Sequence, residues 1–327
     1  MKISQIGEFV LIDLIKRRVF SKDKSVLVNI GDDAAVIEPS KDKLLIFTTD
    51  TLMEKVHFDL RYFTFEQIGW KAMVANLSDI AAMGGLPKFA LVTIGLPQST
   101  SVKNVISIYD GMNDIAKRYD CKIIGGDTLF SSKGILISIA LLGEVEKNSL
   151  VKRTGAKTGD LICVTGDLGE AQAGLEFLKR YPHRKPALVK KHLNPFPRIN
   201  EARALVENLK ITSMIDISDG LSSELFHLTE ENHLGAIIYE EKIPISPNCI
   251  KAGNLLKRSP LFWALSSGEE YELLFTFGRK KLPQLEKIKE KVKVSVIGEM
   301  LEKKEGVFLM EKSGKKRALK KIGFTHF

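Results

Sequence analysis

The sequence has few cysteines and lacks the short motifs that mark several common enzyme classes. Its three cysteines, Cys121, Cys163 and Cys249, are far apart in the chain and odd in number. This argues against a disulfide framework and a thiolate metal site, and it favours a reducing compartment, the cytoplasm. The chain contains no Gly-x-x-x-x-Gly-Lys-Ser/Thr loop, no Gly-x-Gly-x-x-Gly after a strand and no His-based zinc motif. These absences argue against a protein kinase and a Rossmann dehydrogenase.

Long hydrophobic runs are missing as well. The first apolar run, Phe9–Ile12, is interrupted by Asp13 and followed by the basic residues Lys16–Arg18, so it predicts an amphipathic helix and neither a signal peptide nor a membrane span. The formal net charge of +9 is compatible with phosphate-bearing partners, but a Lys-rich surface accounts for it more simply. Arg and aromatic residues do not alternate on one face and no recognition motif is present, so no nucleic-acid partner is predicted.

The length and the hydrophobic pattern predict two α/β domains. With 327 residues, of which 44% are hydrophobic, the chain is longer than a typical single domain. In the first half, strands are predicted at 26–29, 44–48, 89–94, 122–124 and 135–142, and helices at 65–83 and 103–119. In the second half, strands are predicted at 160–165, 237–239, 273–277, 294–297 and 307–310, and helices at 170–180, 187–192 and 200–209. The polar, glycine-bearing stretch 152–159 indicates a boundary just before it, giving domains 1–148 and 149–327.

Aspartates recur in five segments, at the ends of apolar runs or on an apolar helix face. These segments are Gly31–Asp33, Thr48–Thr51, Asn76–Asp79, Gly125–Thr128 and Asp216–Gly220. A single such Asp is as often a helix cap or a turn residue, which accepts hydrogen bonds from nearby backbone, as it is a metal ligand. Five segments of hard oxygen donors without a neighbouring His or Cys cluster instead favour Mg²⁺, which proteins hold through a few carboxylates and the phosphates of a substrate.

Asp79 is predicted to be buried. On the helix predicted at 65–83, small apolar residues recur every three or four positions, and Asn76 and Asp79 share their stripe. Burying an unpaired carboxylate is strongly unfavourable, so Asp79 needs a partner. A salt bridge is one alternative, but no basic residue lies on that stripe, so metal coordination is favoured.

The segment Val164–Gly169 runs from a predicted strand into a predicted helix. Its glycines and the start of the helix can present backbone N–H groups to a phosphate. A tight strand-to-helix turn explains the same residues equally well, so this segment alone does not establish a phosphate site.

Seven segments that follow one another along nearly the whole chain carry a resemblance to a known family. They are Ile30-Gly-Asp-Asp-Ala-Ala-Val36, Thr49-Asp-Thr-Leu52 with Val56-His-Phe58, Asn76-Leu-Ser-Asp-Ile-Ala-Ala-Met-Gly84, Gly125-Gly-Asp-Thr128, Arg153-Thr-Gly-Ala-Lys157, Asp216-Ile-Ser-Asp-Gly-Leu221 and Ala264-Leu-Ser-Ser-Gly-Glu-Glu-Tyr-Glu-Leu-Leu274. In these segments and their order the chain resembles the thiamine-monophosphate kinases, which belong to the superfamily of aminoimidazole ribonucleotide synthetase. The resemblance implies a mixed α/β fold of two domains with an ATP site between them.

The resemblance also implies roles for individual residues. The ligands of several Mg²⁺ ions would be Asp33, Thr48, Thr49, Asp50, Asp79, Asp127, Asp216 and Asp219. ATP would be bound by Tyr109, Gly126, Asp127, Arg153 and Ser218, and thiamine monophosphate by His57, Glu269 and Phe324. The expected catalytic residues are Asp50, Asp127 and Arg153. ATP is then a co-substrate, thiamine monophosphate is the acceptor, and the first domain is expected to carry the interface of a homodimer.

The implied reaction agrees with the residues that are present. A phosphate monoester is largely dianionic at neutral pH because its second pKa is about 6, so direct in-line transfer to it needs no strong base. The reaction does need positive charge, which Mg²⁺ and Arg153 supply. The alternatives are another ATP-dependent enzyme of the superfamily and a metal-dependent phosphohydrolase, which would need a metal-activated water and no ATP site.

Two positions depart from the pattern of the family. Lys55 stands where a small residue, often Gly, precedes the Val-His-Phe sequence. Ser267 stands where a second Gly is usual in Ser-Gly-Gly-Glu. Because these positions flank His57 and Glu269, the departures bear on the geometry of the acceptor side.

Overall fold

The chain divides into two compact units. The computed structural model of the protein describes residues 8–19, 23–28, 36–37, 39–184 and 186–324. The first unit comprises Met1–Ile80 and Leu86–Lys147, and the second comprises Ala81–Gly85 and Asn148–Phe327. The short segment Ala81–Gly85 lies within the first half of the sequence but belongs to the second unit. No sequence pattern indicated this.

The first unit combines helices with a mixed sheet. Its elements are α1 (Glu8–Val19), β1 (Val26–Val28), β2 (Val36–Ile37), β3 (Lys43–Met53), α2 (Phe65–Ala82), β4 (Leu86–Leu96), α3 (Val102–Arg118), β5 (Lys122–Phe130) and β6 (Leu136–Glu146). Four of the strands form one sheet in the order β3-β6-β4-β5, and β1 pairs with β2. Strands β4 and β5 are parallel and the other pairs of this sheet are antiparallel. The helix α3 supplies the crossover that a parallel pair requires.

The helices of the first unit begin at residues whose side chains cap them. Thr64 and Gln67 form a reciprocal pair before α2, in which each side chain accepts a hydrogen bond from the other residue's backbone N–H, at 3.0 and 3.2 Å. Ser101 accepts from the N–H of Asn104 at the start of α3. Both helices then bury an apolar face. On α2 this face includes Met73 and Leu77, which are fully buried.

Strand β3 presents two different faces. Leu52 is buried and Thr48 and Asp50 are half-buried, whereas Phe47 and Thr49 are exposed. This alternation is that of a strand with helices on one side only. Thr48 and Asp50 therefore lie on the face that the helices cover, and Thr49 lies on the open face.

The second unit has a larger sheet. Its elements are β7 (Asp160–Thr165), α4 (Glu170–Arg180), α5 (Lys190–Leu193), α6 (Ile199–Asn208), β8 (Ile211–Asp216), α7 (Leu221–Asn232), β9 (Leu234–Tyr239), α8 (Pro247–Leu256), α9 (Pro260–Ser266), β10 (Leu273–Gly278), α10 (Leu282–Ile288), β11 (Val294–Glu302), β12 (Val307–Met310) and β13 (Lys316–Ala318). The seven strands pair in the order β13-β12-β9-β11-β7-β10-β8. Only the β12 and β9 pair is parallel among the described pairs of this sheet.

The core of the second unit lies between this sheet and the helices. Val164, Ile215 and Leu274 from three neighbouring strands pack with Leu225 and Leu228 of α7. All five side chains are essentially inaccessible to solvent, which makes this cluster the main apolar contribution to the stability of the unit. In the part of the chain that the structure describes, no helix is long and apolar enough to cross a membrane. The mixed α/β fold of two domains that was expected from the sequence is confirmed.

Candidate functional site

The polar side chains of the first unit meet where β3 faces α2. Thr48 Oγ1 donates a hydrogen bond to Asp79 Oδ2. The N–H of Asp50 donates to Asn76 Oδ1 at 3.0 Å, and Asn76 Nδ2 donates to the carbonyl of Ala72 at 3.1 Å. Asn76 is fully buried, and its amide ties the strand to the helix. The structure thus brings together four residues of the predicted aspartate segments, with three hard oxygen donors at Thr48, Asp50 and Asp79.

Gly126 and Asp127 lie on β5, which is an edge strand of the same sheet. Gly126 pairs with Val92 of β4 and has a φ of 154°. A Cβ atom at this position would lie 1.9 Å from the carbonyl oxygen of Val92, so only glycine permits the pairing. Asp127 is exposed, and its Oδ1 accepts from the N–H of Thr128 at 2.8 Å. The carboxylate is therefore presented to solvent at the strand edge.

His57 lies in the turn that follows β3. Its Nδ1 accepts a hydrogen bond from the N–H of Met53 at 3.0 Å, which makes the neutral imidazole the Nε2–H form, a donor. Lys71, which is fully buried on α2, donates through Nζ to the carbonyl of His57 at 2.7 Å. The same ammonium lies 5.2 Å from the centre of the Phe63 ring, a favourable distance for a cation–π contact. Lys71 thus fixes the backbone at His57 through this hydrogen bond.

Four predicted residues of the second unit come together around one loop. The N–H of Glu269 donates to the carbonyl of Ser218 at 2.7 Å, and the N–H of Phe324 donates to the carbonyl of Asp219 at 3.0 Å. Phe324 keeps 42% of its surface exposed. Residues predicted for ATP, metal and acceptor therefore share one small region, although Ser218 and Phe324 are more than a hundred positions apart in the chain.

Asp216 ends β8 opposite Leu273 of β10 and is buried. The loop that follows it is held by Glu224, whose Oε1 accepts from the N–H of Asp219 at 3.1 Å. The pKa of Glu224 is raised to about 7, mainly because the side chain is buried and also because the Asp219 carboxylate is near. The hydrogen bond from Asp219 and the positive charge of Arg153 act in the opposite direction and lower this pKa. Arg153 is exposed, and this charge interaction places its guanidinium in the electrostatic neighbourhood of the Asp219 loop.

The segment Val164–Gly169 does not offer its helix to a phosphate. The N–H of Ala171 donates to Glu270 Oε1 at 3.1 Å, and the N–H of Gln172 donates to the hydroxyl of Ser267 at 3.1 Å. Two of the first backbone donors of α4 are thus satisfied by the protein itself, and one partner is already an anion. The strand-to-helix turn is the correct interpretation of this segment.

Some predicted site residues are placed apart from these groups. Tyr109 is buried on α3 with 3% exposure, and burial raises the pKa of its phenol; this position is that of a core residue and does not fit an ATP contact. Thr49 faces away from Thr48 and Asp50. Asp33 lies outside the described residues. Within the described part of the chain, no three carboxylate, imidazole or thiolate side chains come close enough together to form a metal centre.

The two departures from the family pattern have structural explanations. Lys55 has a φ of 68°, so the backbone there adopts the left-handed conformation that glycine accommodates best. Ser267 has a φ of −68°, which any residue adopts, and its hydroxyl donates to Glu270 Oε1 at 2.6 Å. The serine therefore adds a hydrogen bond and introduces no strain.

Sequence reasoning missed the side chains that hold the predicted residues in place. Lys71 gave a signal that was overlooked: it lies four positions before Ala75 and so on the small-residue stripe, on which no basic residue had been counted, and it is fully buried. Glu224 gave none, because its contact with Asp219 depends on the path of the loop between them. The same holds for four buried or half-buried charged residues that lie beneath Glu269, namely Lys191, Arg198, Glu270 and Glu272.

Comparison with known proteins gives consistent matches over both units. Residues 31–145 match the AIR synthase related protein, N-terminal domain, and residues 157–311 match the corresponding C-terminal domain. A thiamine-monophosphate kinase of Buchnera aphidicola is 39% identical over 98% of this chain and 98% of its own length. A crystal structure of the thiamine-monophosphate kinase of Stenotrophomonas maltophilia is 31% identical, with a TM-score of 0.82 over 95% of this chain and 98% of the other. The structure of AaThiL complexed with AMPPCP and TMP is 36% identical, with a TM-score of 0.78 over 100% and 99% of the two chains.

Proposed function

Because this chain belongs to the thiamine-monophosphate kinase family of the AIR synthase related proteins, we propose that it transfers the terminal phosphoryl group of ATP to thiamine monophosphate. The products are thiamine diphosphate and ADP. The observation that carries this proposal is the match to thiamine-monophosphate kinases along the full chain, together with AaThiL, which was solved with AMPPCP and TMP. The local geometry supports it in part, since Thr48, Asp50 and Asp79 meet between β3 and α2, and Glu269 and Phe324 meet the loop of Ser218 and Asp219.

Each unit contains oxygen donors that are proposed to hold the metal ions of the reaction. The proposed donors are Asp33, Thr48, Asp50, Asp79 and Asp127 in the first unit and Asp216 and Asp219 in the second. Thr49, which the sequence analysis also named, is left out because it lies on the opposite face of β3. The donor set fits Mg²⁺ because it contains carboxylates and hydroxyls without sulfur or imidazole, and because Thr48 and Asp79 already touch. When bound, Mg²⁺ neutralises phosphate charge and reduces the repulsion between donor and acceptor.

The residues proposed to bind ATP are Gly126, Asp127, Arg153 and Ser218. Gly126 has no Cβ, so the backbone of β5 stays open to close approach. The exposed guanidinium of Arg153 can form charge-assisted hydrogen bonds with phosphate oxygens. Asp50, Asp127 and Arg153 are the proposed catalytic residues, and none of them has to act as a strong base, because the attacking oxygen is already anionic.

Thiamine monophosphate would be bound by His57, Glu269 and Phe324. His57 offers its Nε2–H to a phosphate oxygen, since Nδ1 is occupied by the N–H of Met53. The exposed ring of Phe324 can attract the cationic thiazolium through cation–π interaction. Glu269 has 26% of its side chain exposed and adds a negative charge that favours the same cation.

The open face of the four-stranded sheet is the proposed interface of a homodimer. Leu45, Phe47, Leu91 and Phe130 are 43%, 75%, 43% and 62% exposed, and three of them border an apolar groove with Ala140. Contiguous apolar surface of this kind is typical of a protein interface. Sedimentation of the protein and of Phe47→Asp tests this: the wild type should be a dimer and the variant should dissociate, and a monomeric wild type would contradict it. The three thiols are all free and buried, which supports a place in the reducing cytoplasm.

The function is tested by incubating the purified protein with ATP, Mg²⁺ and thiamine monophosphate and separating the products by chromatography. Thiamine diphosphate should accumulate one-for-one with ADP, and Asp127→Asn, prepared in parallel, should form little of either. Release of orthophosphate without thiamine diphosphate would instead support the metal-dependent phosphohydrolase. ADP formation that does not depend on thiamine monophosphate would favour another enzyme of the superfamily.

A further inference from the structure

The backbone at Glu269 is held in an unfavourable conformation. Glu269 and Tyr271 have φ values of 59° and 51°, so two residues with a Cβ atom, separated by one position, are left-handed. This conformation is uncommon outside glycine, and it persists only where the surroundings enforce it. Such strain is concentrated at functional sites, and Glu269 is a proposed acceptor residue.

Backbone hydrogen bonds fix this segment to the loop after β8. The N–H of Glu269 donates to the carbonyl of Ser218 at 2.7 Å, and the N–H of Tyr271 donates to the carbonyl of Ile217 at 3.0 Å. The N–H of Ile217 in turn donates to the carbonyl of Glu272 at 2.7 Å. These bonds fix the backbone of the segment, but they do not fix the directions of its side chains.

The carboxylates on either side of Glu269 and Tyr271 are anchored by charge. Arg198 binds Glu272 through two N–H groups, Nε to Oε2 and Nη2 to Oε1, both at 2.7 Å. Lys191 Nζ lies 2.8 Å from Glu272 Oε1 and 2.8 Å from Glu270 Oε2. Both glutamate side chains are fully buried. We call Lys191, Arg198, Glu270 and Glu272 the ionic cluster.

Neutral groups complete the anchoring. Thr165 Oγ1 donates to Glu272 Oε2 at 2.7 Å, and Ser267 Oγ donates to Glu270 Oε1 at 2.6 Å. Glu270 also accepts from the N–H of Ala171 at the start of α4. The positions of residues 270 and 272 are thus fixed by the body of the domain, and residues 269 and 271 must follow.

The ionic cluster borders a polar cavity, but the cavity is not built for a phosphate. Four carboxylates and three basic side chains line it. The basic side chains are already paired, Lys191 and Arg198 within the cluster and Lys293 with Asp167. An anion entering the cavity would therefore meet more negative than positive charge. The cluster requires a different explanation.

We propose that the ionic cluster positions Glu269 for the acceptor, and that Lys191 and Arg198 are positioning residues of the reaction. A buried ionic cluster is often no more stable than apolar packing of the same volume, so we assign this cluster an orienting role. Here it enforces the left-handed backbone that directs Glu269 outward. His192, which follows Lys191 on α5, lies close to the same side chain, with Nδ1 3.5 Å from Glu269 Oε2. This inference rests on the proposed function, in which Glu269 contacts the acceptor.

The test compares the Michaelis constants of both substrates in the full-length enzyme. In Arg198→Met the fork to Glu272 is lost, so the KM for thiamine monophosphate should rise about tenfold or more while the KM for ATP changes less than about twofold. Arg198→Lys keeps the charge without the fork and should show an intermediate rise; it also serves if the methionine variant does not fold.

A matched control separates positioning from general destabilisation. Asp160 is a buried carboxylate at the opposite end of β7 from Thr165, and it accepts from Thr212 Oγ1 at 2.7 Å. Asp160→Asn should lower the melting temperature of the enzyme but leave both KM values within about twofold of the wild type. If Asp160→Asn and Arg198→Met raise the KM for thiamine monophosphate equally at equal loss of melting temperature, the cluster is only structural and the inference is wrong.

A double-mutant cycle distinguishes this inference from the proposed function itself. Glu269→Ala should raise the KM for thiamine monophosphate, and in that background Arg198→Met should add less than about twofold, because both changes remove the same interaction. Full multiplication of the two effects would overturn the positioning role and leave the acceptor assignment intact. No effect of Glu269→Ala on this KM would instead show that the acceptor does not contact Glu269, and both proposals about this loop would fall.

Discussion

Replacing Glu272 by glutamine should unfold the second unit at a markedly lower temperature. Burial would raise the pKa of Glu272, but the positive charges of Lys191 and Arg198 outweigh this and hold its pKa at about 2, against an ordinary 4.5. That difference corresponds to a contribution of about 3 kcal/mol to the free energy of unfolding at neutral pH. Removing one partner of a buried ion pair costs about 3 to 5 kcal/mol in other proteins, which is of the same order.

For a domain of this size, about 3 kcal/mol should lower the melting temperature of Glu272→Gln by about 6 to 12 °C at pH 7. The difference from the wild type should depend on pH. A carboxyl with a lowered pKa in the folded state stabilises fully above its unfolded pKa, and this stabilisation is lost as the pH falls through its folded pKa. The difference in melting temperature between the wild type and Glu272→Gln should therefore begin to shrink below about pH 4.5 and vanish near pH 2.

Calorimetric melts in EDTA at a series of pH values measure both effects. Glu201→Gln is the matched control, because Glu201 pairs with the same Arg198 at 3.0 Å but keeps 26% of its side chain exposed, so its loss should cost at most about 1 kcal/mol. A melting temperature of Glu272→Gln within about 2 °C of the wild type at pH 7 would refute the reasoning. A difference in melting temperature that stays constant down to pH 3 would refute it as well.

Three further predictions address the predicted metal, turn and tail residues. Asp79→Asn should melt in EDTA close to the wild-type temperature, because the asparagine oxygen can still accept the hydrogen bond from Thr48. It should lose most activity and most of the stabilisation by MgCl₂, because a ligand is removed; a much lower melting temperature in EDTA would make Asp79 a structural partner. Lys55→Gly should stabilise by about 0.5 to 1 kcal/mol, since it relieves a left-handed φ of 68° at the expense of some chain entropy, and an unchanged or lower melting temperature contradicts this. Gly323→Ala would bring a Cβ atom within 2.5 Å of the carbonyl oxygen of Asp219, so it should displace Phe324 and raise the KM for thiamine monophosphate more than that for ATP; equal effects on both constants would show that the tail does not contact the acceptor.

The secondary structure was predictable where local pattern and packing agreed. The helix predicted at 65–83 is observed as Phe65–Ala82, and the strand predicted at 273–277 as Leu273–Gly278. The helix Leu221–Asn232 was missed because its buried side includes Ser222, Ser223 and Glu224, so the hydrophobic period that marks an amphipathic helix is weak. The strand Ile211–Asp216 was missed for the same reason, since Ser213 is fully buried within it.

The candidate site was predictable as a set of residues but only partly as an arrangement. Thr48, Asp50 and Asp79 were expected to be close because the resemblance implies that they hold the same metal ions. In the structure Thr48 bonds Asp79, and Asn76, which was not expected as a partner, links Asp50 to α2. Tyr109 was carried over from the family pattern, but its place on the buried face of α3 makes it a core residue. A helical position alone does not say which neighbours cover it, so burial had to come from the fold.

The sequence by itself determined the two α/β domains, the supply of hard oxygen donors and the kind of chemistry that they serve, because residue type and local periodicity are written in the order of the chain. Only the tertiary structure decided which atoms meet. The contacts of Glu269 with Ser218 and of Phe324 with Asp219 join residues far apart in sequence. The ionic cluster joins α5 to the residue that precedes α6 and to the segment that precedes β10. Such contacts depend on strand order, register and the path of loops, and no local pattern encodes these, since each is set by the packing of the whole domain.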